Sequence, residues 1–263
     1  KNTYIIFTGS SKIVVFNKFL KFDFNIDNSQ LEIDKSSFRN ANILAYFNSI
    51  IKFNPYFSIK TNIDIQKINK NIIKKISLEK ILDKNKETIK NINSINKINY
   101  KSKRYRTNLI KSYSSDLSLA YGRLVFTNKI LISGGEINCS GDSILIDDYP
   151  RLNFVCYLSL RDTKKLFKKF SIPKDINNNP YNLITEVSLN ILNKKINFKK
   201  IKVNENYLAN KEDMKYFKET FEKIIFNESF LNIFKIEKIK DFVIAIIWFY
   251  LGFVIFIGLI ILS

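Results

Sequence analysis

Between Ser115 and Leu160, apolar and polar residues alternate in short runs broken by turn residues. A period of two between turns dictates antiparallel strands with one apolar face. Leu117, Leu119 and Tyr121 alternate with small or polar neighbours, and Asn128-Lys129 and Gly134-Gly135 read as hairpin turns. Ile137 and Cys139 alternate again, then Ile144 and Ile146, and Asp147-Asp148-Tyr149-Pro150 reads as a loop. Leu152, Phe154, Cys156, Leu158 and Leu160 fall on one face of a further strand. Such a meander leaves an apolar face in water unless something covers it, and the sequence must supply the cover.

The same texture recurs on both sides. Residues 1–68 are mostly strand: Leu20, Phe22, Phe24 and Ile26 alternate with Lys21, Asp23 and Asn25, and Asp27-Asn28-Ser29 turns the chain. Asn54-Pro55 separates two long strands, the second carrying Phe57, Ile59, Thr61, Ile63 and Ile65. Around 69–95 the period changes. Ser77 caps an expected helix near 77–92, with Leu78, Ile81, Leu82, Ile89 and Ile92 packing one stripe on the sheet edge. The basic run Lys101 to Arg106 reads as the solvated face of an edge strand. A short amphipathic helix is expected over 162–170, with Leu166, Phe167 and Phe170 on one side. Strands follow through Val187, Leu189 and Ile191, then Ile196 and Phe198, with Asn193-Lys194 as their turn.

Asn210 opens a helix over 211–226, with Asp213 where a capping box places an acid. Met214, Phe217, Phe221 and Ile224 recur on one side of it, as in a helix that caps a sheet. A last helix is expected over 229–262. From Phe242 to Leu262 there is no charge and no proline, and roughly 20 such residues cross a bilayer core. Lys235, Lys238 and Lys240 flank it on the N-terminal side. By the positive-inside rule they favour a cytoplasmic flank, although long domains translocate largely regardless of charge.

The 263 residues can hold one or two domains, and the start at Lys1 suggests a fragment or a processed product. A formal charge of +19 usually raises nucleic-acid binding. Here Lys is spread along the chain together with Asn and Ile, which points to compositional drift and solubility, with anionic lipid surfaces as a beneficiary. There is no histidine, which removes Ser-His-Asp and Cys-His catalysis and every His-containing metal site. Phosphate-loop, nucleophile-elbow and paired-cysteine motifs are missing, and Asp147-Asp148 reads as a solvated loop. No catalytic residue, metal site or cofactor is expected. The two cysteines, Cys139 and Cys156, read as buried free thiols on apolar strand faces, with a disulfide between them as the alternative in an oxidising compartment.

Three stretches carry a resemblance. One is Leu131-Ile132-Ser133-Gly134-Gly135-Glu136-Ile137 leading to Gly141-Asp142. Another is Lys165 to Phe170 followed by Ile191 to Phe198, and the third is Ala209 to Phe217. The chain from residue 1 to about 240 resembles the C-terminal part of AsmA-like bacterial envelope proteins (the TamB/YhdP group), marine alphaproteobacterial members most of all. The resemblance implies outer-membrane biogenesis, a long β groove carrying phospholipid, and an envelope location. The family is usually anchored by an N-terminal helix, whereas the apolar segment here is C-terminal.

The expected fold is mainly β with a few helices: an elongated antiparallel β meander or curved groove, then C-terminal amphipathic and transmembrane helices. Residues 1–208 form the β body with its helical insert near 69–95, 209–240 the helical cap and 242–262 the transmembrane helix. Too few helices exist to cover so many one-faced strands, so the face must close on itself as a sandwich or barrel, or meet an apolar ligand. The candidate groove residues are Ile130, Ile132, Ile144, Ile146, Leu152, Phe154, Leu158 and Leu160. The expected function is non-enzymatic lipid binding or transfer, with membrane phospholipid as partner and no nucleic acid. The expected place is the inner membrane of a Gram-negative bacterium, the β body periplasmic. The alternative is a scaffold or assembly factor that holds an envelope protein by strand addition to an open edge.

Overall fold

The computed structural model describes residues 6–15, 18–39, 43–68, 82, 86–103, 109–170, 180–226, 238, 240–242 and 245. Its strands form one 13-stranded sheet in strict sequence order. They are β1 (Phe7–Val15), β2 (Lys18–Ile26), β3 (Gln30–Arg39), β4 (Ile43–Lys52), β5 (Ser58–Ile68), β6 (Asn93–Lys101) and β7 (Ile110–Ala120). After them come β8 (Arg123–Ile132), β9 (Gly135–Ile144), β10 (Arg151–Leu160), β11 (Tyr181–Asn190), β12 (Lys195–Val203) and the short β13 (Tyr207–Leu208). At strand spacings near 4.8 Å the sheet extends roughly 60 Å across its strands, each of about 30 Å. It closes neither into a barrel nor into a sandwich: β1 and β13 are its two edges.

Sequence order follows from the turns. Asp27 accepts from the backbone N–H groups of Ser29 and Gln30, tightening the β2–β3 turn. Tyr121 and Gly122 both take positive φ between β7 and β8, as a two-residue hairpin of matching twist requires. Asn190 accepts from the N–H groups of Leu192 and Asn193 before β12. The expected turn at Asn128-Lys129 does not form; both residues lie inside β8. Polar residues there mark a strand with one wet face rather than a reversal. The glycine turn falls one residue early, on Ser133-Gly134, and Gly134 supplies the positive φ.

One junction departs from the antiparallel meander. β5 and β6 pair in parallel. A parallel pair needs a crossover, and the connection between the two strands includes α1 (Lys86–Asn91). Leu82 and Ile89 are buried in a core cluster over the sheet, so this helix packs on the face near β7 and not on the edge. The rest of the expected 77–92 helix lies outside the described residues.

Two further helices sit where expected. In α2 (Thr163–Lys169) Asp162 caps the first turn by accepting from the Lys165 N–H. In α3 (Lys211–Ile225) Asn210 and Asp213 form the full reciprocal capping box. α3 lies on β12. Glu222 fixes it there by accepting from the Ile196 N–H at 3.0 Å and pairing with Lys195. Of the expected 229–262 helix, residues 238, 240–242 and 245 are helical and the rest lies outside the described residues. Among the described residues no helix is long and apolar enough to cross a membrane.

The Asp162 cap is open to a direct test. Its carboxyl is held below the usual range, first by the Lys165 N–H it accepts. A lowered folded pKa gives stability above the ordinary value that fades as pH falls through the lowered one. Asp162→Ala should therefore lower stability by about 1 kcal/mol near neutral pH. The gap to wild type in urea unfolding should narrow in acid.

Candidate functional site

Register assigns every strand residue to one of two faces. On the first face, Ile132 opposes Gly135, Ile130 opposes Ile137, Asn128 opposes Cys139 and Phe126 opposes Gly141. The same rows continue to Leu160, Leu158, Cys156 and Phe154 on β10, and to Tyr181, Leu183, Thr185 and Val187 on β11. This face carries the helices. The other face is mixed: cross-strand ion pairs Lys97–Asp116, Arg123–Asp142, Lys129–Glu136 and Lys200–Glu186 lie on it beside exposed Ile95, Val125 and Tyr157. These pairs are exposed, so they contribute little energy each; they serve to keep that face wet.

On the helix-bearing face the half from β7 to β13 is closed. At one strand end Val187, Leu189, Ile191 and Ile196 are buried under α1, the end of α3 and Phe242, with Leu152, Phe154 and Ile146 packed alongside. At the other end Ile132 and Leu160 are buried under Leu166 and Phe170 of α2 and its C-cap, with Ile130 and Leu158 beside them. A third cluster joins Ile201, Ala209 and Phe217 under α3. Of the candidate groove residues the structure thus gathers Ile130, Ile132, Leu158 and Leu160 at one end and Ile146, Leu152 and Phe154 at the other.

Ile144 belongs to neither. It lies on the opposite face and is 47% exposed. β9 keeps an unbroken register with β8, so Ile144 is out of phase with Ile137 and Cys139. Ile146 escapes that phase because the strand has ended. The Leu145 N–H donates to the Gly122 carbonyl, and the chain turns. Ile146 then packs back onto Gly122, where a Cβ would strike it.

Between the two closed ends, Cys139 and Cys156 face each other across β9 and β10 with Cα atoms 4.1 Å apart, joined in a disulfide. This corrects the expectation of free thiols. Pairing depends on the β9–β10 register, which residues 145–150 set and alternation alone cannot. Gly141 lies one row away; a Cβ there would run into Asn153 and Phe154, so its absence lets Phe126 and Phe154 close over the strand.

The half from β2 to β6 is different. None of the three buried clusters draws a residue from β1–β6. Yet the alternation there is the cleanest in the chain. On β5, Ile59, Thr61, Ile63 and Ile65 are half-buried while Lys60, Asn62, Asp64 and Gln66 are exposed. In register, Leu31, Ile51 and Ile59 form one apolar row. Phe47, Ile63 and Ile98 form a second. Ser49, Thr61 and Asn96 lie between the two rows, with a Ser49–Thr61 hydroxyl hydrogen bond of 2.9 Å. Among the described residues no helix packs on these rows. Sequence reasoning saw the alternation and missed its importance, because α1 was expected on an edge.

Other features are lesser. A cleft of about 380 Å³ beside α2 is lined by Lys111, Arg161, Lys165, Glu136 and the Gly134-Gly135 turn. Asp148 pairs with Lys86 at 3.4 Å. Among the described residues no cluster of His, Cys, Asp or Glu could hold a metal ion. No family model, curated protein or solved structure matches the chain.

The disulfide predicts a measurable stabilisation. With its cysteines 17 positions apart in the sequence, replacing both with Ser should lower unfolding stability by about 3 kcal/mol. Denaturant midpoints of wild type with and without reductant, beside the double variant, check it: reductant should act on the first and leave the second unchanged.

Proposed function

We propose that the chain is a membrane-anchored envelope protein that binds and transfers lipid, acyl chains lying on the apolar face of β2–β6, in support of outer-membrane biogenesis. The observation that carries this reading is the pair of apolar rows on that face, which no described helix covers. Contiguous apolar surface beyond a few hundred Å² marks an interaction site. Rows running across consecutive strands fit an extended hydrocarbon better than a compact ligand. No covalent step is needed: the face offers hydrocarbon contact and two small hydroxyls, and selectivity comes from its width.

Two further features support the setting. A disulfide between strands persists in an oxidising compartment, which favours a β body outside the cytoplasm. The uncharged stretch from Phe242 to Leu262 is long enough to anchor it in the inner membrane. A sequential sheet with one apolar face is also what membership of the AsmA-like family would produce, and we infer that membership from this and the sequence texture. One observation favours the scaffold reading as well. β1 is a nine-residue edge strand with Phe7 and Val14 about two-thirds exposed, and such an edge templates strand addition.

Substitutions separate a lipid face from a dry core. Leu160→Glu places a carboxylate in the cluster under α2 and should destabilise by more than ~3 kcal/mol. Ile63→Glu and Phe47→Glu put a carboxylate where water or headgroups reach it. Their melting curves should stay close to wild type while lipid co-purifying with the protein, read by mass spectrometry, falls several-fold. Unfolding of both β4 and β5 variants would sink the lipid reading in favour of a covered core. Topology has its own test: external protease should cut the body in spheroplasts, and a body cut only after lysis would reverse the assigned side.

A further inference from the structure

The geometry points to the exposed face of α2 as a docking surface for an anionic lipid bilayer, at the end of the sheet away from Phe242. Arg161, Lys164, Lys165, Lys168 and Lys169 crowd into nine residues with Asp162 as the one acid. The charge is not the background of a lysine-rich chain, because α3 carries four lysines against four acids. All five basic side chains are exposed. The helix beneath them is held fast. Leu166 and Phe170 are buried against Ile132 and Leu160. The N–H groups of Arg161 and Asp162 both donate to the Gly134 carbonyl, at 2.9 and 3.0 Å. A Cβ at Gly134 would collide with the Asp162 carbonyl oxygen, so that contact needs glycine.

Of the five basic residues, Lys165 already pairs with Asp162 at 3.2 Å. A cluster of cations on a fixed helix suits a planar anionic surface, where each basic residue near it adds to the attraction. Its position suits the same partner. Phe242 packs at the strand end that carries Leu152 and Leu189, whereas α2 caps the end that carries Ile132 and Leu160. The two ends lie about 30 Å apart along strands of ten residues. A protein anchored at the first end would present α2 to lipid at a distance from its anchor. The choice of lipid as partner rests on the lipid reading above; the surface itself rests on α2 alone.

The test uses the full chain immobilised through an N-terminal tag and exposed to phosphatidylcholine vesicles with and without phosphatidylglycerol. The apolar C-terminal stretch acts on both vesicle types, so the difference between them isolates charge. Wild type should capture the phosphatidylglycerol vesicles preferentially. That preference should vanish on going from about 0.1 to about 1 M salt, as the screening length falls from about 10 to 3 Å. Lys164→Glu with Lys168→Glu should reduce it at least twenty-fold, at about a factor of five for each lysine removed. The control Lys211→Glu with Lys215→Glu makes the same change in net charge on α3. Equal loss in the control, capture indifferent to phosphatidylglycerol, or binding of a DNA duplex without that lipid preference would each overturn the proposal. Loss of co-purifying lipid in the Ile63→Glu protein with vesicle capture intact would show the two sites to be separate. Capture that survives while Ile63→Glu has no effect on lipid would remove the transfer reading and leave the docking surface standing.

Discussion

A sheet that is apolar on one side must bring something to that side. This requirement organises the molecule. Among the described residues, thirteen strands in sequence order leave no second sheet to serve as a lid, so helices or an outside partner must cover that side. α1, α2 and α3 are placed where the chain can spare them. α1 rides in the crossover between the parallel pair, α2 follows β10, and α3 follows β13. Together they bury Ile89 of α1, Leu166 of α2 with its C-cap Phe170, and Phe217 and Ile225 of α3, which closes the half from β7 onward. On the described residues nothing does the same for β2–β6.

The contrast between halves is also one of packing chemistry. Around β9 the sheet is drawn tight: glycine at 134, 135 and 141 admits neighbouring backbone or aromatic rings, and a disulfide ties β9 to β10. In β2–β5 the register shifts at three successive pairings, whereas in the closed half the shifts, at β7–β8 and β11–β12, are set apart. Bulges bend a sheet and raise its twist. Polar residues are buried there without being stranded; the Ser36 hydroxyl donates to the Phe47 carbonyl and also accepts from its N–H. One half is thus built as a closed core and the other as a bent apolar surface on which Ser36, Ser49 and Thr61 find partners within the sheet.

Much of this was legible in the residues. Local turns fixed strand order, because Asp27-Asn28-Ser29, Asn54-Pro55 and Asn193-Lys194 each reverse the chain within a few residues. The Asn210–Asp213 box fixed the start of α3, since both side chains take up backbone N–H groups by local contact, and the spacing of Leu166 and Phe170 placed α2. What failed was information carried between strands. The disulfide and the face of Ile144 both depend on register across β8–β10, and a single residue of phase decides them. The parallel junction was hidden because alternation is the same in parallel and antiparallel strands when one face is wet. The division into closed and open halves was hidden for the same reason: Ile63 and Leu158 show the same pattern in sequence, and only the placement of helices tells them apart.

If the open half carries hydrocarbon as proposed, a face open on one side suits transfer better than an enclosed pocket. Full burial of an acyl chain gains about 0.8 kcal/mol per methylene, so a deep dry pocket would hold a long chain too tightly to release it. A face open on one side removes only part of that hydrocarbon from water. Here the polar row of Ser49, Thr61 and Asn96 further interrupts contact between the two apolar rows. A hydrocarbon bound there as proposed would lie along one row, crossing from strand to strand, and would meet the polar row only on shifting by about two residues along the strands. Weak contact along a row would then let it move from strand to strand. The closed half, whose apolar residues already have permanent partners, can offer no such path and serves as the frame that holds the open half in shape.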